Sequence, residues 1–240
     1  MFTSLNDEFM ITFEPFIKSF LYYNSWFDYD FVILDLGLSM STKERCLKLY
    51  PKCKFIKPKK ENYKDVNFAK THLKLQPTYY KLDMFSRPYD RVVSIDVDMI
   101  VQGYIREVFD CDKPIAGCQG YIQRKDKLSN EINTGLVVIN KEFLNDETYK
   151  RLIAVAKPGH NMPDQKTINQ YFKNRIHFLP KKYNCEKRIW RSERFKMWDF
   201  KNAMTIIHYV GYKPWQKNKP DYDQGYDELE AVWWEWKKLV

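Results

Sequence analysis

The sequence contains no long hydrophobic run. About 18 consecutive apolar residues, the length of a membrane-spanning helix, occur nowhere in its 240 residues. The opening MFTSLNDEF also lacks the basic stretch and apolar core of a secretion signal. These absences argue against a membrane-spanning or secreted protein, and we expect a cytoplasmic one.

Cysteine is scarce. The five cysteines are odd in number and form no C-x-x-C pair, which argues against a disulfide framework and against a zinc site. We expect reduced residues that mostly pack in the interior. They are Cys46, Cys53, Cys111, Cys118 and Cys185.

Glycine is scarce too, with eight residues, and no glycine-rich phosphate loop stands near the amino terminus. This absence argues against a sugar nucleotidyltransferase. No serine–histidine–aspartate or cysteine–histidine arrangement indicates nucleophilic catalysis. Internal repeats and low-complexity linkers are missing as well.

Apolar and aromatic residues are plentiful, at 44% and 17% of the chain. No stretch combines few apolar residues with charge of one sign, so disorder is not expected. A chain of this length has room for one α/β domain with a sizeable core. We expect a single domain over residues 1–240.

Positive charge is concentrated in two segments of a chain whose formal net charge is +9. Residues 52–64 contain six lysines and one glutamate, and residues 181–201 contain eight basic and three acidic residues. Such segments are typical of an anionic partner or of solvated loops. Both interpretations stay open.

Short apolar runs alternate with helical patterns, which indicates a largely parallel sheet flanked by helices. The expected strands are Phe31–Leu36, Lys54–Ile56, Arg91–Ile95, Pro114–Gly117, Leu136–Ile139 and Met204–His208. The expected helices are one opened by a capping box at Ser41 and Glu44 and running through Leu49, one ending near Phe85, and Asp146–Ala156, Asp164–Phe172 and Tyr226–Val240. Ligands of open α/β sheets bind beyond the carboxyl ends of strands, so polar residues there are the candidates for chemistry.

The D-x-D pattern occurs four times, so the tripeptide alone carries little information. Only Asp96 and Asp98 directly follow a strand-like run, Arg-Val-Val-Ser-Ile. Residues two apart in extended chain project to the same side, so both carboxylates can face one divalent cation. A polar strand end or a helix cap is the alternative.

Three further polar patterns follow in order. Asn133-Thr-Gly enters an apolar strand, Asp164-Gln precedes a helix, and His208-Tyr-Val-Gly-Tyr-Lys-Pro-Trp follows an apolar run. Each has a structural alternative: a strand-entry turn, a helix N-cap and a buried core histidine. The histidine followed by glycine and lysine also suits a metal ligand beside a phosphate-binding turn.

Taken in order, these four patterns resemble glycosyltransferase family 8, the family of glycogenin and the bacterial lipopolysaccharide galactosyltransferases. Residues 2–9 are similar to the family's first strand and nucleoside-binding turn, and Tyr80-Lys81-Leu82 resembles its donor-contacting basic residue. The resemblance covers nearly the whole chain. It implies a single GT-A domain, with residues 1–100 as the nucleotide-binding half, 101–225 as the sugar and acceptor half, and 226–240 as a carboxyl-terminal helix.

The resemblance also implies a retaining transfer of sugar from a UDP-sugar or another nucleotide-diphosphate donor. The implied metal is Mn²⁺, with Mg²⁺ second, held by Asp96, Asp98 and His208. The catalytic residues implied around the sugar are Asn133, Asp164 and Gln165. The implied donor-binding residues are Thr3, Leu5, Asn6, Phe9, Lys81, Asp96, Val97, Asp98, Gly211 and Lys213.

The acceptor stays open. A glycan or lipid-linked saccharide is the family default, DNA with a modifiable base or another polyanion fits the basic segments, and a protein side chain is the third alternative. Residues 185–201 mix basic residues with Trp190, Phe195, Trp198 and Phe200, which suits stacking plus phosphate contacts, a sugar platform or a membrane surface. A non-catalytic nucleic-acid-binding module is the rival class. No obligate protein partner is expected.

Overall fold

The computed structural model describes residues 1–192 and 204–239. Within them, seven strands form the main sheet, in the order β3-β2-β1-β4-β7-β6-β8. These strands are β1 (Phe2–Leu5), β2 (Phe31–Asp35), β3 (Cys53–Ile56), β4 (Arg91–Ile95), β6 (Ile115–Ile122), β7 (Lys127–Asn140) and β8 (His177–Phe178). A smaller sheet, in the order β5-β10-β9, contains β5 (Met99–Val101), β9 (Cys185–Glu186) and β10 (Ile206–His208).

The amino-terminal half of the main sheet is parallel. Strand β1 lies between β2 and β4, and β3 flanks β2, all in parallel register. Strand β2 is buried along its whole length, as is typical of parallel strands covered on both faces. This burial explains why Phe-Val-Ile-Leu is a continuous apolar run rather than an alternating one.

The other half turns antiparallel at β7, which pairs with β4 on one side and β6 on the other. The β6–β7 ladder shifts register between Gly117 and Tyr121, and such irregularities bend a strand. Strand β7 is far longer than the expected Leu136–Ile139. The sequence pattern does not reveal its first half, because that half is mostly half-exposed and polar. The α/β class with a mostly parallel central sheet is confirmed.

The small sheet joins two distant stretches of chain. Strand β10 runs antiparallel to β5, with His208 opposite Met99, and parallel to β9. Because β5 starts directly after Asp98, this pairing brings His208 next to the residues that follow β4. The strand expected from Met204 is shorter in the structure and begins at Ile206.

Six α-helices lie in the described parts of the chain: α1 (Met10–Tyr23), α2 (Met40–Leu49), α3 (Arg106–Phe109), α4 (Asp146–Ala156), α5 (Pro163–Tyr171) and α6 (Asp227–Lys238). Helix α4 has its expected bounds, and Leu73–Ser86 forms a 3-10 helical segment ending next to the expected Phe85. Helix α1, which contains Pro15, is not predicted by the sequence patterns. Helix α6 ends before Val240, which lies outside the described residues.

The expected capping box of α2 is wrong. The N-cap is Ser39, whose hydroxyl accepts a hydrogen bond from the Thr42 amide. Ser41 and Glu44 lie inside the helix. The reason is tertiary, because the Asp7 carboxylate accepts a hydrogen bond from the Ser39 amide at 3.0 Å and holds this residue at the helix start.

The cysteines behave as packing residues. All five are unpaired, and four of them are buried. Burial raises the pKa of Cys118 and of Cys185 to about 12, so both remain thiols at neutral pH.

Among the described residues, no helix combines the length and the apolar character that crossing a bilayer requires.

Candidate active site and metal centre

A cavity of about 390 Å³ opens where β1 and β4 end and where β10 meets β5. All of the predicted site residues except Thr3 line it. They are Leu5, Asn6, Phe9, Lys81, Asp96, Val97, Asp98, Asn133, Asp164, Gln165, His208, Gly211 and Lys213. The structure therefore brings these residues together in one cavity at the carboxyl ends of strands, where open α/β sheets bind ligands.

Asp96, Asp98 and His208 lie together at one wall of this cavity. One donor atom from each lies within 4.8 Å of the others. Two carboxylate oxygens and an imidazole nitrogen are a donor set that suits Mn²⁺ and also Mg²⁺. The three residues therefore fit a divalent metal, as the sequence predicts. His208 is buried and also faces the two carboxylates.

Asp98 is buried and paired. Its carboxylate contacts the Lys213 ammonium and lies 3.4 Å from His208 Nε2. Burial acts to raise the pKa of Asp98, but the Lys213 ammonium outweighs burial and holds that pKa well below its usual range. The carboxylate is therefore ionised and already compensated by a cation of this chain.

Lys213 is held by its own chain in two ways. Besides the Asp98 contact, its ammonium donates a hydrogen bond to the Tyr209 carbonyl at 2.8 Å. The donor-binding role that the resemblance implies for this lysine uses either its remaining N–H group or exchange of its Asp98 contact. Gly211, the second residue expected there, has a φ of +76°, a conformation that glycine adopts without strain.

Lys81 is enclosed by acceptors. Its ammonium lies 2.7 Å from Asp96 Oδ1 and 3.2 Å from Asp164 Oδ2, and it donates to the Thr134 carbonyl at 3.2 Å. Burial lowers the pKa of Lys81, but Asp164 and Asp96 outweigh it and raise that pKa above its usual value. The lysine stays charged and connects the metal-site carboxylate Asp96 to the sugar-site candidate Asp164.

Asp164 is not an N-cap, because α5 is preceded by Met162, without a side-chain cap. Its carboxylate instead accepts a hydrogen bond from the Thr134 hydroxyl at 2.7 Å. Gln165 follows it on the cavity wall. Thr134 thus has a site role that the sequence pattern Asn-Thr-Gly does not reveal.

Gly135 explains why that pattern ends in glycine. A Cβ atom at this position would lie 2.4 Å from His208 Cε1 and 2.6 Å from Met99 Cε. The imidazole packs directly on the Gly135 backbone, and only glycine leaves room for it. The neighbouring Asn133 accepts the Gly135 amide on its side-chain oxygen at 2.9 Å.

One wall of the cavity, the one expected to bind the nucleoside, is formed by the end of β1. Asn6 caps the following 3-10 turn by accepting the Phe9 amide at 3.0 Å. Leu5 and Phe9 line the same wall, whereas Thr3 is buried inside β1 opposite Ile33. The structure therefore brings Leu5, Asn6 and Phe9 into the cavity and leaves Thr3 outside it.

The described part of the second basic segment contains two buried lysines, which are not available to an anionic partner at the surface. Lys187 is fully buried, and its ammonium lies 2.6 Å from Asp223 Oδ2. Lys181 is buried against Glu186 at 3.1 Å. Arg194, Lys196 and Lys201, with Phe195, Trp198 and Phe200, lie outside the described residues.

The first basic segment is partly paired as well. Lys52, Lys54 and Lys57 contact Asp28, Asp30 and Asp35, respectively. The charge of these lysines is compensated by carboxylates of other segments, which their sequence neighbours do not reveal. The number of lysines in this segment therefore overstates the net positive charge at the surface.

Together the mixed sheet, the aspartates directly after β4 and the cavity at the strand ends define a GT-A-type protein. A galactosyltransferase, LgtC, crystallised with donor and acceptor sugar analogues, has this fold with a TM-score of 0.70 and 17% identity, over 98% of this chain and 95% of that one. The glycosyltransferase GlyE of Streptococcus pneumoniae TIGR4 gives 0.71 and 19%, over 98% and 60%. These similarities establish the fold.

The sequence establishes the family. The model of "Glycosyl transferase family 8" matches residues 1–219, and the chain belongs to that family. Glycosyltransferase GlyF of Streptococcus pneumoniae serotype 4 is 25% identical, over 98% of this chain and 60% of its own length. A lipopolysaccharide 1,2-glucosyltransferase of Escherichia coli is 27% identical, over 57% and 49%. The chain spans about a quarter to three fifths of the curated relatives it matches.

Proposed function

We propose that this chain transfers a sugar from a nucleotide-diphosphate donor, a UDP-sugar, to a hydroxyl of a glycan acceptor, with retention of the anomeric configuration. The observation that carries the proposal is the cavity itself. It gathers a divalent-metal donor set, the lysines Lys81 and Lys213, and three sugar-site candidates at the strand ends. Membership of glycosyl transferase family 8 supports the same reaction.

Asp96, Asp98 and His208 would hold Mn²⁺, or Mg²⁺ as the second choice. The metal would neutralise the negative charge that develops on the departing nucleoside diphosphate. Lys213 adds a cation that can reach the same charge once Asp98 releases it. A lysine and preorganised backbone amides aimed at that charge lower the barrier further.

Lys81 and Thr134 act on the sugar side by fixing one acid. Both contact Asp164 Oδ2, so this carboxylate has a defined position beside Asn133 and Gln165. An ammonium on a carboxylate also reduces its strength as a nucleophile. These contacts favour attack by the acceptor on the face that the leaving group departs from, rather than a covalent intermediate at Asp164.

A glycan acceptor is favoured over DNA or another polyanion. The buried lysines Lys181 and Lys187 cannot contact a phosphate backbone without unfolding the segment that contains them. The lipopolysaccharide 1,2-glucosyltransferase named above points to a saccharide acceptor. The DNA alternative predicts binding that weakens steeply between about 50 and 200 mM salt, whereas a neutral glycan predicts little salt dependence.

The first experiment incubates the protein with a panel of nucleotide sugars and Mn²⁺ and measures nucleoside diphosphate release. Slow transfer to water requires no knowledge of the acceptor. We expect hydrolysis of one donor that stops on chelation of the metal. A protein that hydrolyses no donor, and whose melting temperature is unchanged by UDP with Mn²⁺, is instead a non-catalytic module.

A matched pair of variants tests whether the loss of an aspartate matters at the site alone or at any D-x-D pattern. Asp96→Asn removes a metal-site carboxylate, whereas Asp112→Asn changes another D-x-D aspartate whose side chain is 83% exposed. We expect hydrolysis to disappear in the first variant and to persist in the second. Equal activity of both would remove Asp96 from the site.

A further inference from the structure

One residue outside the four sequence patterns touches two of them. Asn184 follows the 3-10 turn Lys181–Tyr183 and directly precedes β9. Strand β9 runs parallel beside β10, with Glu186 paired to His208. Asn184 thus lies one residue before the pair that Cys185 forms with Ile207, and its side chain is fully buried and contacts the His208 ring.

Its side-chain amide bridges the metal site and the sugar site. Asn184 Oδ1 lies 2.8 Å from His208 Nδ1. Its Nδ2 donates to Asn133 Oδ1 at 2.9 Å and contacts the Asn133 carbonyl at 3.3 Å. Both polar ends of one buried amide are thus used, each on a different residue of the cavity wall.

The direction of these hydrogen bonds follows from a single backbone amide. The Gly135 N–H can only donate, so the side-chain atom of Asn133 that it contacts is the oxygen. The atom of Asn184 that faces this oxygen must then be the amide nitrogen, which leaves Asn184 Oδ1 toward the imidazole. Because that oxygen only accepts, His208 Nδ1 carries the proton.

The other ring nitrogen is consequently unprotonated in the neutral imidazole. His208 Nε2 is the nitrogen on the Asp98 side, at 3.4 Å from the carboxylate. An unprotonated ring nitrogen is the form that binds a metal, and a partner on the other nitrogen normally sets it. Both nitrogens of His208 are therefore assigned, one to Asn184 and one to the metal site.

We propose that Asn184 is a positioning residue that sets the His208 tautomer and the Asn133 amide together, so that the metal site and the sugar site are aligned by one side chain. The metal part of this assignment rests on the proposed function. The alignment also presents the Asn133 Nδ2 group as the donor toward the cavity, since its oxygen is occupied by Gly135 and Asn184.

The first test needs neither metal nor substrate. Nitrogen-15 chemical shifts of the His208 ring are measured in metal-free protein at a pH where the imidazole is neutral. We expect the Nδ1-protonated tautomer in the wild type and its loss in Asn184→Leu. An Nε2-protonated ring in the wild type, or an unchanged ring in the variant, overturns the proposal.

The second test separates the two contacts. Asn184→Asp still accepts from His208 but cannot donate to Asn133, whereas Asn184→Leu loses both contacts. In calorimetric Mn²⁺ titrations with UDP, we expect Asn184→Leu to weaken metal affinity by about 10–100-fold and Asn184→Asp to stay near the wild type. In donor hydrolysis, both variants should lose kcat. Metal affinity equal to wild type in Asn184→Leu overturns the proposal.

A control variant accounts for simple loss of stability. Asn24 is equally buried, and its amide bridges the Gly103 carbonyl and the Ile105 amide away from the cavity. Asn24→Leu should lower the melting temperature and leave metal affinity unchanged. If instead the wild type binds no metal and hydrolyses no donor, the proposed function fails, while the tautomer measurement still decides the role of Asn184.

Discussion

Two lysine–aspartate pairs hold the same short segment, Tyr209–Lys213, and they differ in their exposure to solvent. Lys213 contacts Asp98 at the cavity wall, and both side chains keep over a tenth of their surface exposed. Lys187 contacts Asp223 with no exposed surface on either side. Each lysine also donates to a backbone carbonyl of the segment, Lys213 to Tyr209 and Lys187 to Tyr212.

The comparison shows that burial separates a replaceable ion pair from a permanent one. A metal or a phosphate can compete for the members of the cavity pair, since each exchanges one charged partner for another. No such competitor reaches the enclosed pair, whose Asp223 also accepts the Tyr212 amide at 3.1 Å. The enclosed Lys187–Asp223 pair therefore fixes the segment that carries Lys213, the lysine of the exchangeable pair.

The largest expected effect breaks the exchangeable pair on its acidic side. Asp98→Asn should abolish donor hydrolysis and the thermal stabilisation by UDP with Mn²⁺, because the metal loses a carboxylate ligand. It should also lower stability, since Lys213 is left without its anion. Asp110→Asn, a D-x-D aspartate with a side chain 59% exposed, is the matched control. Unchanged ligand stabilisation in Asp98→Asn would remove Asp98 from the site.

The next effect concerns the enclosed pair and is one of stability. Lys187→Met should lower the free energy of unfolding by about 3–5 kcal/mol, because Asp223 remains buried without a cation. The double variant Lys187→Met/Asp223→Leu should recover much of this loss. Urea unfolding measures both, and Lys182→Met, from an exposed pair with Glu107, should cost at most about 1 kcal/mol. A loss that small for Lys187→Met would contradict an enclosed pair.

A smaller effect tests the exchange itself. Lys213→Met should strengthen Mn²⁺ binding in the absence of nucleotide, because the metal no longer competes with an ammonium for Asp98. The same variant should weaken UDP binding in the presence of Mn²⁺ by about tenfold or more, the value of one hydrogen bond to a charged group. Calorimetry gives both constants, with exposed Lys217→Met as the control. If both constants fall together, Lys213 is not a competitor of the metal.

The smallest effect is a pH dependence specific to the enclosed pair. Burial lowers the pKa of Lys187 even though Asp223 and Glu230 act to raise it. Below the usual lysine value of about 10.4, the unfolded state then binds more protons than the folded state. Stability of the wild type should therefore rise with pH as that value is approached, relative to Lys187→Met. Parallel unfolding curves for the two proteins between neutral and alkaline pH would show that the lysine is not desolvated.

The parts of the fold that the sequence predicts are those with local causes. The run Arg91–Ile95 and the helix Asp146–Ala156 are recognisable because each buries a face whose periodicity lies within its own residues. The first half of β7 lacks such a pattern, since its pairing with β6 shifts register along the ladder. The N-cap at Ser39 depends on Asp7, which is 32 residues away.

The site divides in the same way. Asp96 and Asp98 are identifiable because they end an apolar strand, and His208 because it ends another. Asn184 has no such signal, since its partners stand 24 and 51 residues away in the sequence. From the sequence alone, Lys187 resembles a surface charge. Its burial depends on Asp223, which is 36 residues away in the sequence.

The contact between Gly135 and His208 has a consequence for comparing chains. The space beside the Gly135 Cα atom is filled by the His208 ring. A Cβ atom added at this position would lie 2.4 Å from His208 Cε1. A substitution there and a substitution of the histidine should therefore depend on each other. In a related chain with a larger residue at this position, we expect the histidine ring to be displaced or replaced, so the residue at position 135 predicts whether the proposed nitrogen ligand can take this position.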